Sequence, residues 1–339
     1  MPPMVCFGYT GDDGMVSDKS VHHYEARARG GVGIIVVEAT CVSKDGRLAN
    51  SQLGIWSDDH IAGLSRIAGV CHQYGAAVLI QIHHAGHKSA LAVNAQPSAP
   101  SDYHNGNVNA RAMTIDELTE IQQDFVDAAC RAQKAGFDGV ELHGAHGYLI
   151  SQFMSPSTNL RTDQYGGSSA NRMRFGLEIV ERIRVACGPD FIVSCRMGGN
   201  EPTIDDGIII AKELERCGAN LLHVSAGIGS GTDPAVPDGF AFSWIVYAGS
   251  CIKQNVSVPV IVVSGIRTPQ QAEAVLAAGL GDFVAVGKGL LVDAEWANKA
   301  REQREVITCL SCKKCRWFVD GRHCPRMKQA EKNKSGAVI

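Results

Sequence analysis

The side chains most able to do chemistry lie close together between residues 143 and 148. His143 and His146 are three residues apart, and Tyr148 follows two residues later. Two imidazoles at this spacing can direct N–H donors at one carbonyl oxygen or oxyanion, and a phenol can supply a proton. Single histidines more often pack in a core, and zinc is a further alternative, but no third ligand follows at a suitable spacing. The pattern predicts a site that polarises a carbonyl group.

Four cysteines near the C-terminal end form a second candidate site. Cys309, Cys312, Cys315 and Cys324 follow the pattern C-x2-C-x2-C-x8-C-P. Three thiolates on one tight loop, with a fourth that closes it, are typical of iron–sulfur ligation. Zinc also accepts four thiolates, and free thiols are a third alternative. Three clustered cysteines with one distant partner favour a [4Fe–4S] cluster.

Seven apolar runs predict the strands that must position these groups. They begin at Gly33, Ala77, Gly139, Phe191, Leu221, Val260 and Phe283. The runs are continuous rather than alternating, which is typical of parallel strands covered on both faces. An eighth strand is predicted at Met1–Phe7, with no segment before it to cover the bottom of a barrel. Either this cover is missing or the true start lies upstream of Met1.

Amphipathic stretches between the runs predict the helices. One opens at Thr114 with acidic residues in its first turn and ends at Gly136. Another opens at Thr268, has Pro269 in its first turn and ends at a glycine. Eight β/α units with right-handed crossovers close most simply into a (β/α)₈ TIM barrel. An open doubly wound sheet usually carries a G-x-G-x-x-G turn after its first strand, and none follows here.

In such a barrel, chemistry gathers at the carboxyl ends of the strands. The residues expected there are Ala39, Gln81, His84, His143, His146, Arg196, Gly265, Gly287 and Lys288. We expect one barrel over residues 1–305, followed by the four-cysteine element and a basic tail over residues 306–339. The histidine–tyrosine group therefore falls at the mouth of the predicted barrel.

The composition is that of an ordinary globular protein. The chain has 339 residues, of which 45% are apolar and 20% charged, and a net charge of −3. These values exclude a disordered or collagen-like chain and give no basic surface for nucleic acid. No apolar run reaches the roughly 18 residues of a membrane span, and the N-terminal residues do not resemble a signal peptide. We expect a cytoplasmic protein without a nucleic-acid or membrane partner.

The stretch from His143 to Arg172 resembles the old yellow enzyme family of NADH:flavin oxidoreductases. The matching residues are His143, His146, Tyr148, Gln152, Phe153, Ser155, Pro156, Asn159, Arg161, Asp163, Tyr165, Ser168, Asn171 and Arg172. Further matches are Pro3, Met4, Glu38, Ala39, Gly54, Asp58, Gln81, His84, Gly86, Pro97, Ala99, Arg196, Gly265, Gly287 and Lys288. Within the family, the chain is most similar to the barrel portion of the 2,4-dienoyl-CoA reductase branch, whose members carry an iron–sulfur cluster.

The resemblance implies that FMN binds at the top of the barrel. The backbone near Pro3 and Met4 and that of Ala39 would border the isoalloxazine ring. Gln81 would bind the pyrimidine edge of the ring. Arg196 would lie beside N1 and O2, where a fixed cation stabilises the anionic reduced flavin.

The phosphate of FMN would lie at Gly265 and Gly287, where backbone N–H groups can approach it closely. Lys288 stands where the family commonly has arginine. Lysine keeps the positive charge but lacks the bidentate fork of arginine, so FMN binding is expected to be retained and weakened.

The family's chemistry implies an ene-reductase. Reduced FMN would deliver hydride from N5 to the β-carbon of a carbonyl-activated alkene. His143 and His146 would hold the carbonyl, and Tyr148 would protonate the α-carbon. The dienoyl-CoA reductases have a further histidine after the sixth strand, which is absent from residues 227–232, so dienoyl-CoA substrates are in doubt. A flavin-dependent amine dehydrogenase or demethylase, an electron-transfer subunit and an inactive barrel are the alternatives.

The resemblance also bears on the electron donor. Related enzymes hold a [4Fe–4S] cluster after the barrel and continue into a flavin- and nucleotide-binding module that supplies electrons through it. This chain ends at Ile339, after the basic residues Arg326, Lys328, Lys332 and Lys334. NAD(P)H or a reduced electron carrier is the expected donor, and a ferredoxin- or flavoprotein-type partner is expected to be the better one. A homo-oligomer is left open.

Overall fold

Ten strands are present in the part of the chain that the computed structural model describes, residues 1–229, 231–318 and 323–329. They are β1 (Ile34–Cys41), β2 (Ala77–His83), β3 (Ser98–Ala99), β4 (Tyr103–Asn105), β5 (Val108–Ala112), β6 (Gly139–Gly144), β7 (Ile192–Gly198), β8 (Leu221–Ser225), β9 (Val260–Val263) and β10 (Phe283–Ala285). Seven of them form one curled parallel sheet in the order β1-β2-β6-β7-β8-β9-β10. The others form a small second sheet in the order β3-β5-β4. All seven predicted runs are therefore strands of one parallel sheet.

Helices follow the strands of the large sheet in the alternation that the sequence predicts. They are α1 (Asp18–Arg29), α2 (Ile61–His72), α3 (Ile115–Lys134), α4 (Leu149–Met154), α5 (Ser169–Cys187), α6 (Ile204–Arg216), α7 (Trp244–Lys253), α8 (Pro269–Ala277), α9 (Lys288–Val292) and α10 (Trp296–Arg301). The hydroxyl of Thr114 accepts the N–H of Glu117 at 3.2 Å, and that of Thr268 caps α8 in the same way. Both predicted helix starts are confirmed. None of the helices in the described ranges is long and apolar enough to cross a membrane.

The N-terminal segment differs from the prediction, because residues 1–6 are not a regular strand. Only Met1 pairs with β1: its amino group donates to the Ile34 carbonyl at 2.6 Å, and its carbonyl accepts the Val36 N–H at 3.0 Å. Pro2 and Pro3 have no N–H to continue the ladder, which is the physical reason for the difference.

The same segment nevertheless lies between the two edges of the large sheet. Met1 contacts β1, while a Cβ on Gly287, just after β10, would be 3.2 Å from the Met4 sulfur and 3.4 Å from Pro2. The segment therefore occupies the place of an eighth strand. The architecture is the predicted α/β barrel, with seven regular strands and one proline-rich extended segment.

The core has two layers, one on each face of the large sheet. The larger layer packs the outer face of the strands against the helices and includes Phe125, Phe153 and Phe175. The smaller layer lies on the other face and consists of Val36, Leu79, Leu221, Ile261 and Ala285, with a few partly buried neighbours. This double coverage explains why the strand sequences are continuous apolar runs.

An apolar cavity of about 530 Å³ lies at the opposite end of the barrel from the predicted chemistry. It is lined by Met1, Ile34 and Ile261 among others, and Phe283 beside it is 41% exposed. Both alternatives for the cover of this end stay predictions.

At the start of β6, the backbone lies so close to β7 that there is no room for a side chain. A Cβ on Gly139 would lie 2.3 Å from the carbonyl oxygen of Ile192 in β7, a contact that only a backbone shift could relieve. We expect Gly139→Ala to lower the free energy of unfolding by about 1–3 kcal/mol. The matched control is Gly69→Ala in α2, where a Cβ meets nothing within 4 Å and where alanine favours the helix. Urea unfolding of both variants measures the difference, and equal stabilities would contradict the expected crowding.

Candidate active site

Two histidines and a tyrosine meet where β6 ends. His143 is a buried residue of β6, His146 lies in the turn that follows, and Tyr148 immediately precedes α4. The nitrogens His143 Nε2 and His146 Nδ1 are 3.4 Å apart, and the Tyr148 ring lies 4.8 Å from the His143 ring between centroids. The three predicted catalytic side chains are therefore neighbours.

The turn between His143 and Tyr148 has an unusual backbone. His146 has φ +59° and Gly147 has φ +69°, so two consecutive residues are left-handed. A side chain in this region costs energy, and the surrounding contacts must compensate for it. The N–H of His146 donates to the Ala226 carbonyl at 3.0 Å, and Gln152 donates to the Gly147 carbonyl at 2.8 Å. The turn is thus tied to the loop after β8 and to α4.

Burial decides the protonation of these groups. It lowers the pKa of His143 well below its usual value and that of His146 to about 2, and the charge of Arg196 acts in the same direction on both. Burial also raises the pKa of Tyr148, although Arg196 opposes this shift. At neutral pH both imidazoles are neutral and the phenol keeps its proton. Each imidazole can then donate one hydrogen bond, and the phenol can donate a proton.

A third histidine that the sequence analysis did not select lies against this group. His83 is fully buried in β2, and neither ring nitrogen has a hydrogen-bond partner in the described ranges. Its ring centroid is 5.3 Å from that of His143 and 4.6 Å from that of Tyr148. The signal was its spacing of two from Gln81, because alternate residues of a strand share a face.

A buried cation faces a cavity beside the histidines. Arg196 is a residue of β7 with 8% exposure, and its Nε has no partner among the described residues. Its only hydrogen bond in those ranges runs from Nη2 to the Ser225 hydroxyl at 3.4 Å. The guanidinium lines a cavity of about 260 Å³ together with Met4 and Lys288. A buried charge with so few partners suits an anionic ligand.

Glycines form the other wall of this cavity, which we call the Arg196 cavity. Gly265 has φ +76° and follows Ser264 at φ +97°, so the loop after β9 is left-handed at two successive residues. A Cβ on Gly287 would crowd the Met4 sulfur at 3.2 Å. No protein acceptor is present in the described ranges for the N–H groups of Gly265 and Gly287. Free N–H groups beside Arg196 and Lys288 suit a phosphate.

Comparison with known proteins agrees with this arrangement. The model of the NADH:flavin oxidoreductase / NADH oxidase family matches residues 1–306. An NADH oxidase of Thermoanaerobacter brockii is 46% identical over 325 residues, which are 92% of this chain and 50% of the relative. An NADPH dehydrogenase of Geobacillus thermodenitrificans (strain NG80-2) is 36% identical, with 89% of each chain covered. The chain belongs to the NADH:flavin oxidoreductase family.

Solved structures add two neighbours. Morphinone reductase superposes with a TM-score of 0.77 at 27% identity, covering 90% of this chain and 86% of the other. A 2-naphthoyl-CoA reductase in complex with 2-naphthoyl-CoA superposes with a TM-score of 0.85 at 26% identity, covering 94% and 52%. The resemblance to old yellow enzymes is confirmed at the level of the family. The chain spans about half the length of two of its curated relatives, the T. brockii protein and a metal reductase of Desulforamulus reducens.

Membership of a flavin oxidoreductase family gives the Arg196 cavity a natural ligand. Four predicted FMN residues besides Arg196 line it: Met4, Gly265, Gly287 and Lys288. The Arg196 guanidinium, whose Nε has no partner in the described ranges, and the free glycine N–H groups match the anionic ring edge and the phosphate of FMN. The residues present therefore fit the cofactor.

Three other predicted FMN residues do not line the Arg196 cavity. Pro3 is buried in the N-terminal segment, and Ala39 is buried within β1, where its carbonyl accepts from Gln52 at 2.8 Å. The amide of Gln81 donates to Glu141 at 2.9 Å inside the barrel. Their contacts with the flavin ring stay predictions.

Several predicted positions need a small correction. Ala39, Gln81, His143 and Arg196 lie within the strands rather than after them, because β1, β2, β6 and β7 extend to residues 41, 83, 144 and 198. His84, which follows β2 directly, accepts the Gly86 N–H on its Nδ1 at 3.0 Å. This bond lets the His84 ring stabilise the turn that follows β2.

A buried, hydrogen-bonded carboxylate–imidazole pair lies beneath the site. Glu141 of β6 and His223 of β8 are fully buried, with 2.9 Å between Oε2 and Nδ1. Burial alone would raise the pKa of Glu141, but His223, the charge of Arg196 and the amide of Gln81 hold it below its usual value. An ionised Glu141 provides the negative charge that offsets the buried guanidinium of Arg196.

The four predicted cluster ligands line one small cavity next to the Arg196 cavity. Cys309, Cys312, Cys315 and Cys324 all face it, together with Lys288 and Trp317. The Ser311 N–H donates to the Cys309 sulfur at 3.4 Å, and these two residues also line the Arg196 cavity. Within the described ranges, no three histidine, cysteine or acidic side chains are close enough to hold a metal ion. A [4Fe–4S] cluster or zinc stays a prediction.

Trp317 attaches the cysteine element to the barrel. Its side chain is buried, and its ring lies 5.7 Å from that of His23 in α1. The predicted element over residues 306–339 falls partly outside the described residues, which omit 319–322 and 330–339, including Lys332 and Lys334 of the basic tail.

Proposed function

We propose that this chain is an FMN-dependent ene-reductase acting on carbonyl-activated alkenes. The observation that carries the proposal is one group of side chains: the neutral imidazoles of His143 and His146 beside the protonated phenol of Tyr148. This group lies close enough to the guanidinium of Arg196 for its charge to affect all three. Donors for an oxyanion and a proton source are what reduction of an enone requires.

Arg196, Gly265, Gly287 and Lys288 would hold FMN, which would supply a hydride in its reduced form. His143 and His146 orient the substrate by donating hydrogen bonds to its carbonyl oxygen. These bonds strengthen as negative charge develops on that oxygen. Tyr148 holds the proton that the α-carbon receives. The turn at His146 and Gly147, which is held by hydrogen bonds with Ala226 and Gln152, keeps these donors in place and limits the cost of reorganisation.

The substrate class is tested on the chain loaded with FMN. Under anaerobic conditions, dithionite reduces the flavin, and enones, enoates and enoyl-CoA thioesters are then offered in turn. We expect at least one class to restore the absorbance of oxidised flavin and to yield the saturated product. Reduction of the oxidised flavin by a secondary amine, with no reoxidation by any alkene, would favour the amine dehydrogenase instead.

We further propose that Cys309, Cys312, Cys315 and Cys324 hold a [4Fe–4S] cluster. Their support is the shared cavity, the N–H donated to Cys309 and the spacing of the motif. Such a cluster would supply single electrons beside the Arg196 cavity, to which Cys309 contributes. An anaerobic absorbance spectrum with iron and sulfide analysis distinguishes the cluster from zinc.

The electron donor gives a separate prediction. We expect Cys312→Ser to lower the iron content and to slow flavin reduction by a ferredoxin- or flavoprotein-type carrier more than reduction by dithionite. The physical reason is that a one-electron carrier needs the cluster, whereas dithionite can reach the flavin directly. The control is Cys251→Ser, a cysteine of α7 outside the element. Stopped-flow absorbance measures both rates, and fast reduction by NADH or NADPH that is unchanged in Cys312→Ser would make the cluster structural.

A further inference from the structure

A lysine that no prediction selected lies against the turn that carries the active site. Lys88 belongs to the short 3-10 segment Gly86–Lys88 after β2. Its Nζ donates to the His146 carbonyl at 2.7 Å and lies 5.2 Å from the centroid of the Tyr148 ring. One ammonium thus contacts the backbone of one catalytic candidate and the ring face of another.

The first contact bears on the shape of the turn. A β-carbon on Gly147 would be 2.8 Å from Lys88 Nζ, so the ammonium fits closely against the left-handed residues. The other hydrogen bonds of His146 and Gly147 in the described ranges involve neutral groups, namely Ala226, Ser225, His143, Ser151 and Gln152. Hydrogen bonds from a charged donor are roughly twice as strong as neutral ones. Lys88 therefore supplies the charged donor among the described hydrogen bonds of the His146–Gly147 turn.

The second contact bears on the charge of Tyr148. Five titratable or charged side chains surround its ring: His83, Lys88, His143, His146 and Arg196. Burial keeps the three imidazoles neutral, so Lys88 and Arg196 are the two cations of this set. A cation over an aromatic face is attracted to its π electrons, and the attraction grows when the ring carries a negative charge. Lys88 is placed to favour the phenolate over the phenol.

We propose that Lys88 is a positioning residue of the reaction, which holds the His146–Gly147 turn and stabilises the phenolate that Tyr148 becomes after donating its proton. The inference rests on the proposed ene-reductase function. In that reaction the alkene gains a hydride at its β-carbon and a proton from the Tyr148 oxygen at its α-carbon. The phenolate then takes a proton from water, which restores the phenol.

The test uses the FMN-loaded chain and three variants. Lys88→Met removes the charge and the donor but keeps a side chain of similar shape, and Lys88→Arg restores both. Lys212→Met, on the exposed surface of α6, controls for loss of a surface charge. The first measurement is the single-turnover rate of alkene reduction by the reduced flavin. The second is the titration of Tyr148, followed by NMR of ¹³C-labelled tyrosine and assigned with Tyr148→Phe among the seven tyrosines.

We expect Lys88→Met to slow alkene reduction by about 2- to 5-fold, the effect of a cation–π contact made by an exposed lysine, and to raise the pKa of Tyr148. Lys88→Arg should recover both properties, and flavin reduction by dithionite should not change. An unaltered Tyr148 titration in Lys88→Met, or an unaltered rate, overturns the proposal. The titration needs no substrate. It therefore still shows whether Lys88 stabilises the Tyr148 phenolate if the wild-type chain reduces no alkene, an outcome that would contradict the proposed function.

Discussion

Replacing His143 and His146 together by alanine is expected to abolish alkene reduction while FMN stays bound. Removing one oxyanion donor typically costs about 10²–10³ in rate. Here both donors to the same oxygen are lost, and their effects need not add. FMN should remain because neither histidine lines the cavity of Arg196 and the two glycines. The measurements are kcat/KM with an enone and the ratio of flavin to protein in the purified variant.

The matched control is His104→Ala, an exposed histidine on the small sheet. It should behave as the wild-type chain does, because His104 is exposed on β4 and no hydrogen bond or ring contact in the described ranges joins it to His143, His146 or Tyr148. The two single variants then show whether either imidazole alone sustains the reaction. Near-normal turnover in the double variant would disprove the assignment of a carbonyl clamp, and loss of FMN would mean that the histidines hold the cofactor.

Removal of the Tyr148 hydroxyl is expected to slow reoxidation of the flavin by the alkene and to leave reduction of the flavin unchanged. In Tyr148→Phe, flavin reduction should proceed at its normal rate, since the ring and its contacts with His83 and His143 are kept. Reoxidation by the alkene should slow by about 10²–10⁴, the usual contribution of a positioned proton donor. Stopped-flow absorbance of the flavin follows both half-reactions separately.

Tyr74→Phe serves as the control for this variant, because Tyr74 is 39% exposed and distant in sequence from the motif. Its two half-reactions should match those of the wild-type chain. A Tyr148→Phe chain that is slow only in flavin reduction would assign the hydroxyl to the binding of the electron donor. Wild-type rates in both half-reactions of Tyr148→Phe would show that the hydroxyl takes no part in the chemistry.

Much of the fold could be predicted because its signals are local. The continuous apolar runs arise from double coverage of parallel strands, and all seven lie in the large sheet. The caps at Thr114 and Thr268 satisfy N–H groups only three residues away, so a short stretch of sequence contains the whole interaction. The prediction of a regular N-terminal strand was wrong for an equally local reason, since Pro2 and Pro3 have no N–H to donate to the hydrogen bonds of a sheet.

The site was predictable where its parts are close in the chain. His143, His146 and Tyr148 fall within six residues, and the structure keeps them together. Arg196 belongs to one strand, and Gly265 and Gly287 follow two others. They could be assigned to one site because barrel chemistry gathers at the carboxyl ends of the strands, and all three line one cavity.

The sequence by itself determined the family motif, the strand order along the chain and the types of group available at the barrel mouth. Only the tertiary structure decided which of the many polar residues meet that motif. His83 and Lys88 lie some 60 positions before His143 and His146, yet they contact the same rings and the same turn. Burial, which only packing creates, makes the imidazoles neutral and leaves the Arg196 guanidinium almost without partners. Distances and desolvation across strands are properties of the folded chain, and no spacing along the sequence encodes them.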